Sequence, residues 1–264
     1  MLTISKNKKC RDWRVTMKNT FVRKNSAKAS LVALAIAASA SMSASAADKP
    51  WYIGVNVSEA DLDTVETVST APVAGVDRTI NLESDSETGF GIHIGREIFS
   101  QSNGNSLSFE LSYSNSDHDL EGLQFLGNTF SVDAGTAEGS VELETLLARA
   151  VYKFDLGNFK PYLGVGIGET DLEVDARYGA SVGQGFQAQP PFAGGSDSAF
   201  AIELRAGIDY SISDQFDLFL EYTTTDVDDI EFFRTGGGPG GLATTTQSGD
   251  FDFDQVNFGG KFRF

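Results

Sequence analysis

From residue 51 onward, apolar and polar residues alternate almost one for one. In "WYIGVNV" (51–57), Trp51, Ile53, Val55 and Val57 share one parity, and Tyr52, Gly54 and Asn56 the other. "GFGIHIGREIF" (89–99) sets Phe90, Ile92 and Ile94 against Gly91, His93 and Gly95. "LSFELSY" (107–113) sets Leu107, Phe109, Leu111 and Tyr113 against Ser108, Glu110 and Ser112. Over 144–154 the pattern is less clean, with Leu146, Ala148, Ala150, Tyr152 and Phe154 on one face and Arg149 and Lys153 on the other. "PYLGVGIG" (161–168) opposes Leu163, Val165 and Ile167 to Gly164, Gly166 and Gly168. "AFAIELRAGIDY" (199–210) opposes Phe200, Ile202, Leu204, Ala206, Ile208 and Tyr210 to Glu203, Arg205 and Asp209. "FDLFLEY" (216–222) opposes Leu218, Leu220 and Tyr222 to Asp217 and Glu221. Finally, in "QVNFGGKFRF" (255–264), Phe258, Phe262 and Phe264 oppose Lys261 and Arg263. Side chains of a strand alternate between two faces, so these are eight predicted strands, each with one apolar face.

The connections come in two kinds. "SQSNGNS", "DLGNFK" and "SISDQ" are short turns. Between them stand connections of roughly 25 residues, rich in Gly, Ser, Thr and Asp, which would be unusual inside a compact soluble domain. Because long and short connections alternate strictly, all the long ones fall on one rim. That is the expected layout of an antiparallel, up-and-down transmembrane barrel with four long extracellular loops and three short periplasmic turns.

A soluble barrel can share the alternation, so the character of each face chooses the solvent. The polar faces carry Gly at 54, 91, 95, 164, 166, 168 and 207, which suits a narrow lumen filled by side chains better than a wetted exterior. Acids (Glu97, Glu110, Glu203, Asp209, Glu221 and, near a rim, Asp217) and bases (Arg149, Lys153, Arg205, Lys261 and Arg263) are nearly balanced there. Matching of this kind is expected where an unpaired charge would be buried. Trp51, Phe99, Tyr152, Phe154, Tyr210, Phe262 and Phe264 all lie near the short-turn or terminal end of a strand, as an aromatic girdle at one interface would.

Taken together, "WYIGVNVS", "GFGIHIGREIF", "KPYLGVGIG", "AFAIELRAGIDYSIS" and "VNFGGKFRF" resemble the eight-stranded outer-membrane β-barrel family. Its relatives include the membrane domain of outer membrane protein A and the opacity-type surface proteins. The resemblance implies an outer-membrane location in a Gram-negative bacterium. It also implies recognition by the barrel assembly machinery through a C-terminal strand ending at Phe264. No periplasmic peptidoglycan-binding domain is expected here, so cell-wall anchoring is not carried over.

Residues 1–46 read as an N-terminal extension and signal peptide, and 47–264 as the barrel domain. Lys18, Arg23, Lys24 and Lys28 precede an apolar run over 31–40, and Ala44-Ser45-Ala46 fits a cleavage site near Ala46 or Ala47. Met17 could equally start such a leader. The run is about 10–12 residues, too short to span a bilayer as a helix. Cleavage removes the sole cysteine, Cys10, together with nine Lys/Arg and one acid. The remainder holds 11 bases against 36 acids, about −25, and should not bind nucleic acid.

Candidate chemistry is sparse. His118, in "NSDHDLEG", has Asp117 and Asp119 beside it but no Ser in a recognisable motif, and is expected as a solvated loop residue. His93 is expected to hydrogen-bond within the lumen. The acidic stretches "TTTDVDDIE" (Asp226, Asp228, Asp229, Glu231) and "SEADLDTVE" (Glu59, Asp61, Asp63, Glu66) read as hydrated loops, with divalent bridging to anionic lipid headgroups as the alternative. "GGGPGG" at 236–241 reads as a flexible loop tip. No catalytic, cofactor-binding or metal-ligating residue is assigned, and no cofactor is expected. The expected role is a non-enzymatic, monomeric surface protein for structure, adhesion or interaction through acidic loops, in contact with outer-membrane lipids and lipopolysaccharide. The alternative is a narrow porin-like channel for small solutes.

Overall fold

A computed structural model describes residues 51–63, 65–69, 79–126, 132–178, 192–238 and 241–264. The proposed leader and its cleavage site lie outside these residues. Ten strands follow in order: β1 (Trp51–Leu62), β2 (Val65–Ser69), β3 (Thr79–Ser84), β4 (Glu87–Ser100) and β5 (Ser106–Leu126), then β6 (Val132–Lys153), β7 (Phe159–Tyr178), β8 (Phe192–Ser211), β9 (Phe216–Gly238) and β10 (Gly241–Arg263).

Eight of them are the staves of an all-β, antiparallel ring. β1 pairs with β4, each of β4 to β9 pairs with the next stave in sequence, and β10 closes on β1 from Tyr52↔Arg263 to Leu62↔Phe253. Closure pairs the apolar tail at 258–262 on both sides rather than leaving it as a template for aggregation. The two additional strands are a hairpin. β2 pairs with β3 (Val65↔Leu82), β3 with β5 (Thr79↔Leu126) and β2 with β10 (Gln247↔Ser69). They fill the wall between β5 and β10 beyond the ends of β1 and β4.

Three short connections lie at 101–105, 154–158 and 212–215. At the other rim the expectation of long loops needs correction. β5 to β10 run for 20–23 residues each and take up much of what the composition marks as loop. At about 3.4 Å per residue and a tilt near 40°, such staves rise roughly 55 Å, about twice the ~25 Å apolar band of a membrane barrel. "TTTDVDDIE" is therefore part of β9, and the glycines of "GGGPGG" at 236–238 and 241 end β9 and begin β10. The tip at 239–240 lies outside the described residues.

The reason is visible along β7. Leu163, Val165 and Ile167 point outward and are exposed, and the same parity continues outward through Glu169, Asp171 and Glu173. The opposite parity points inward as Tyr162, Gly164, Gly166, Gly168 and Thr170, then as Leu172, Val174 and Ala176, all three buried. Strand geometry never breaks; only the polarity exchanges sides. β10 repeats this: Phe258 and Val256 lie outside and Asn257 and Gln255 inside, then Asp254 and Asp252 lie outside and Phe253 and Phe251 inside. Below the exchange, an outer band of Phe109, Leu111, Leu146, Leu163, Leu204, Leu220 and Phe258, among others, is exposed, a surface far larger than a soluble monomer carries. Hydrocarbon is the solvent that makes such a band favourable. Above the exchange the wall follows the rule of a water-soluble barrel, apolar inside and acidic outside.

Candidate functional site in the barrel lumen

The lower lumen is filled by charge and by large rings. Arg205, from β8, is fully buried and donates to Glu110 on β5 and to Glu221 on β9. Arg149 on β6 pairs with Glu203 on β8. One level nearer the short connections, Asp209 accepts from Lys153 and, at 2.9 Å, from Lys261 Nζ, while Arg263 pairs with Asp217. Tyr52 and Tyr162 bind the same carboxylates as Arg205, donating from their hydroxyls to Glu110 Oε1 (2.7 Å) and Glu221 Oε2 (2.8 Å). Lys261 Nζ stands 4.6 Å from the ring centroids of both Tyr162 and Phe219, so its charge is shared between a carboxylate and two aromatic faces. His93 packs edge-on between Tyr52 (6.2 Å) and Phe219 (5.5 Å).

The balance of acids and bases read from the sequence is largely a set of buried ion pairs. Glu97, counted with the lumen acids, stands apart from that set. Lys261 and Arg263 reach Asp209 and Asp217, whereas Glu97 accepts from its neighbour Ser100.

Lumen glycines make room for this filling. A Cβ on Gly54 would stand 2.2 Å from His93 Nε2, and one on Gly95 or Gly207 would stand 2.4 or 2.5 Å from the ring of Tyr52 or Tyr162. Each large ring lies over a stave whose own side chain has been deleted. Sequence reading places Tyr52 on the inner face but misses the roles of Tyr52, Tyr162 and Phe219. The signal was the pairing of each bulky inward residue with a Gly on the adjacent stave.

Above the charges comes a belt of small polar groups. Asn56 Nδ2 donates to Asn257 Oδ1 (2.7 Å), and Thr145 and Thr170 share a hydrogen bond (3.0 Å). Here the structure corrects the expectation for His118. It lies in β5, 0% exposed, with Nε2 2.9 Å from Ser116 Oγ and Nδ1 3.2 Å from the carbonyl oxygen of Asp85. Its sequence neighbours Asp117 and Asp119 have the opposite parity and face outward, so they do not join it. Next comes a dry layer of Leu62, Leu120, Val141, Leu143, Leu172, Val174, Val227, Ile230, Phe232, Phe251 and Phe253. No part of that layer was foreseen, although "DLEVDA" and "DFDFDQ" display it once the parity is carried through.

Two kinds of filler thus occupy the lumen at different levels. A cavity of about 90 Å³ lies at the short-connection mouth, lined by Tyr52, Lys153, Lys160, Asp217, Lys261 and Arg263 among others. On the outer wall the acids crowd one another. Burial, then Glu142 and Asp119, raise the carboxyl of Asp117 above its ordinary value. Asp226, then burial, do the same to Asp228, and burial, then Asp226, to Asp252. Among the described residues no three of His, Cys, Asp and Glu are gathered to hold a metal ion.

A closed ring with an apolar outer band and a lumen crossed by buried salt bridges defines a barrel-forming membrane protein. Residues 30–264 match the outer membrane protein beta-barrel domain, and the chain belongs to that family. Its location is accordingly the outer membrane. Among curated proteins none matches the sequence. Similar solved structures include the outer membrane protease of Escherichia coli, at 7% identity and TM-score 0.52 over 81% of this chain and 97% of that one. A major outer membrane protein from Thermus thermophilus aligns at 9% identity and TM-score 0.50, over 83% and 100%. Neisserial surface protein A aligns at 15% identity and TM-score 0.41, over 81% and 97%. At these identities the first two speak to the fold alone.

Proposed function

We propose that this protein is a non-conducting, non-enzymatic surface protein of a Gram-negative outer membrane. In this reading the short connections face the periplasm, and the acidic upper wall with its loop tips faces outward for structural, adhesive or interaction roles. Residues 1–46 export the chain and are removed. The barrel assembly machinery reads the strand that ends at Phe264, and the barrel works as a monomer among phospholipids and lipopolysaccharide.

One observation carries this reading: the lumen is occupied twice, by the Arg205–Glu110–Glu221 and Lys153–Asp209–Lys261 pairs below and by the Phe232, Phe251 and Phe253 layer above. A solute would have to break buried charge pairs, each costly to separate, and then cross a dry apolar layer. Planar-bilayer recording of the refolded barrel tests it. Silence is expected, and stable, reproducible single-channel steps would establish the porin-like alternative instead.

A further inference from the structure

Charge on the outer wall is divided by level. Above the apolar band the outward side chains are acids, Asp61, Asp117, Asp171, Glu173, Asp226 and Asp252 among them. Among the described side chains, one outward base stands at the short-connection rim, Arg96 on β4. Every other base whose side chain is described (Arg149, Lys153, Lys160, Arg205, Lys261 and Arg263) faces the lumen or its mouth.

Arg96 is the register partner of Trp51 on β1 and of Phe109 on β5, and both aromatics are exposed. Its Cζ lies 5.4 Å from the Trp51 ring centroid. Among the described residues no carboxylate is within ion-pair distance of it. An indole fixes one face of the guanidinium and holds it at the boundary between hydrocarbon and water, where aromatic belts settle. The planar fork of donors that remains matches two oxygens of one phosphate. With about 36 acids against 11 bases in residues 47–264, the chain as a whole repels anions. A cation with no described carboxylate beside it supplies a local attraction that the overall field opposes.

We propose that Arg96 and Trp51 form a binding site for the anionic phosphodiester headgroup of a glycerophospholipid in the leaflet around the short-connection rim. The assignment rests on the reading, given above, that this rim lies at the periplasmic surface of the membrane.

Trp51 reports on the site directly, because the only other tryptophan is Trp13. The full chain carrying Trp13→Phe is reconstituted in phosphatidylcholine vesicles containing brominated lipid, either phosphatidylglycerol or phosphatidylcholine, and Trp51 quenching is compared. Brominated phosphatidylglycerol should quench about threefold more strongly, the scale of an exposed ion pair. Arg96→Gln should bring the ratio to one, and Arg96→Lys, which keeps the charge but loses the planar fork, should keep only part of it. Heat-dependent gel mobility confirms that each variant has closed before it is compared. Equal quenching by the two lipids, or an unchanged preference in Arg96→Gln, overturns the site. Loss of the preference on adding inorganic phosphate to the buffer overturns the lipid as ligand in favour of free phosphate. No quenching by either lipid would instead sink the placement of this rim in the bilayer, a failure distinct from that of headgroup choice.

Discussion

Arg205 and Glu110 meet across the lumen from staves three apart in the ring, β8 and β5, and are joined on the other guanidinium nitrogen by Glu221 of β9. Replacing Arg205 by Ala would leave two carboxylates buried without a cation. The expected loss is about 3–5 kcal/mol, read from urea unfolding of the barrel in lipid. Exchanging Arg205, Glu110 and Glu221 together for apolar residues of similar volume should cost far less, because no charge is then stranded.

Arg205→Ala should nevertheless stay electrically silent. The apolar layer above it is a separate seal, so steady conductance is expected only when polar, smaller residues also replace Phe232, Phe251 and Phe253. Single-channel recording of the two sets of variants, alone and combined, measures whether the seals act independently.

Gly54 and His93 form a size pair. Gly54→Ala puts a methyl into the imidazole and should destabilise by about 1–3 kcal/mol, whereas His93→Ala opens the space. In a double-mutant cycle the combined variant should recover most of the loss from Gly54→Ala. Simple additivity would mean that the close approach does not limit packing.

Val165 and Glu173 share the outer face of β7 but not its solvent. Arg at 165 should cost about 2–4 kcal/mol in lipid-reconstituted unfolding, while Arg at 173 should be nearly neutral. Equal costs at the two sites would remove the boundary drawn between them.

Burial and crowding among the outer acids set a pH dependence. Asp117, Asp228 and Asp252 each hold protons more tightly in the folded wall than their ordinary value allows. The folded state therefore binds more protons than the unfolded chain as pH falls from neutral towards the raised values. Stability of the upper wall should rise over that interval and decline again as pH returns to neutral. Hydrogen exchange of β9 and β10 amides follows it, and Asp226→Asn should flatten the response.

Much of the barrel is legible from alternation, since Leu163, Val165 and Ile167 against Gly164, Gly166 and Gly168 already assign both faces and the solvent outside. Reading stops short at Thr170, where the outer residues become acids and the eye takes the change of composition for a loop. The backbone records only parity, and parity continues through Leu172 and Val174. His118 is misplaced for the same reason: flanking Asp117 and Asp119 look like hydrated loop until they are assigned to the opposite face. Which acid meets which base is a matter of ring closure and stagger, so the pairing of Lys261 with Asp209 could not be read from strand order.

The uninterrupted parity of β7 makes its middle intolerant of a change in length. One residue inserted between Ile167 and Leu172 would leave the lower half seated in lipid and turn the upper half inside out, presenting Leu172 and Val174 to water and Asp171 and Glu173 to the dry interior. A loop would absorb such an insertion, but this junction transmits it to the rim. Indels among natural relatives should therefore gather at the stave tips, and those within staves should come in pairs of residues, preserving the frame as codon triplets do for a gene.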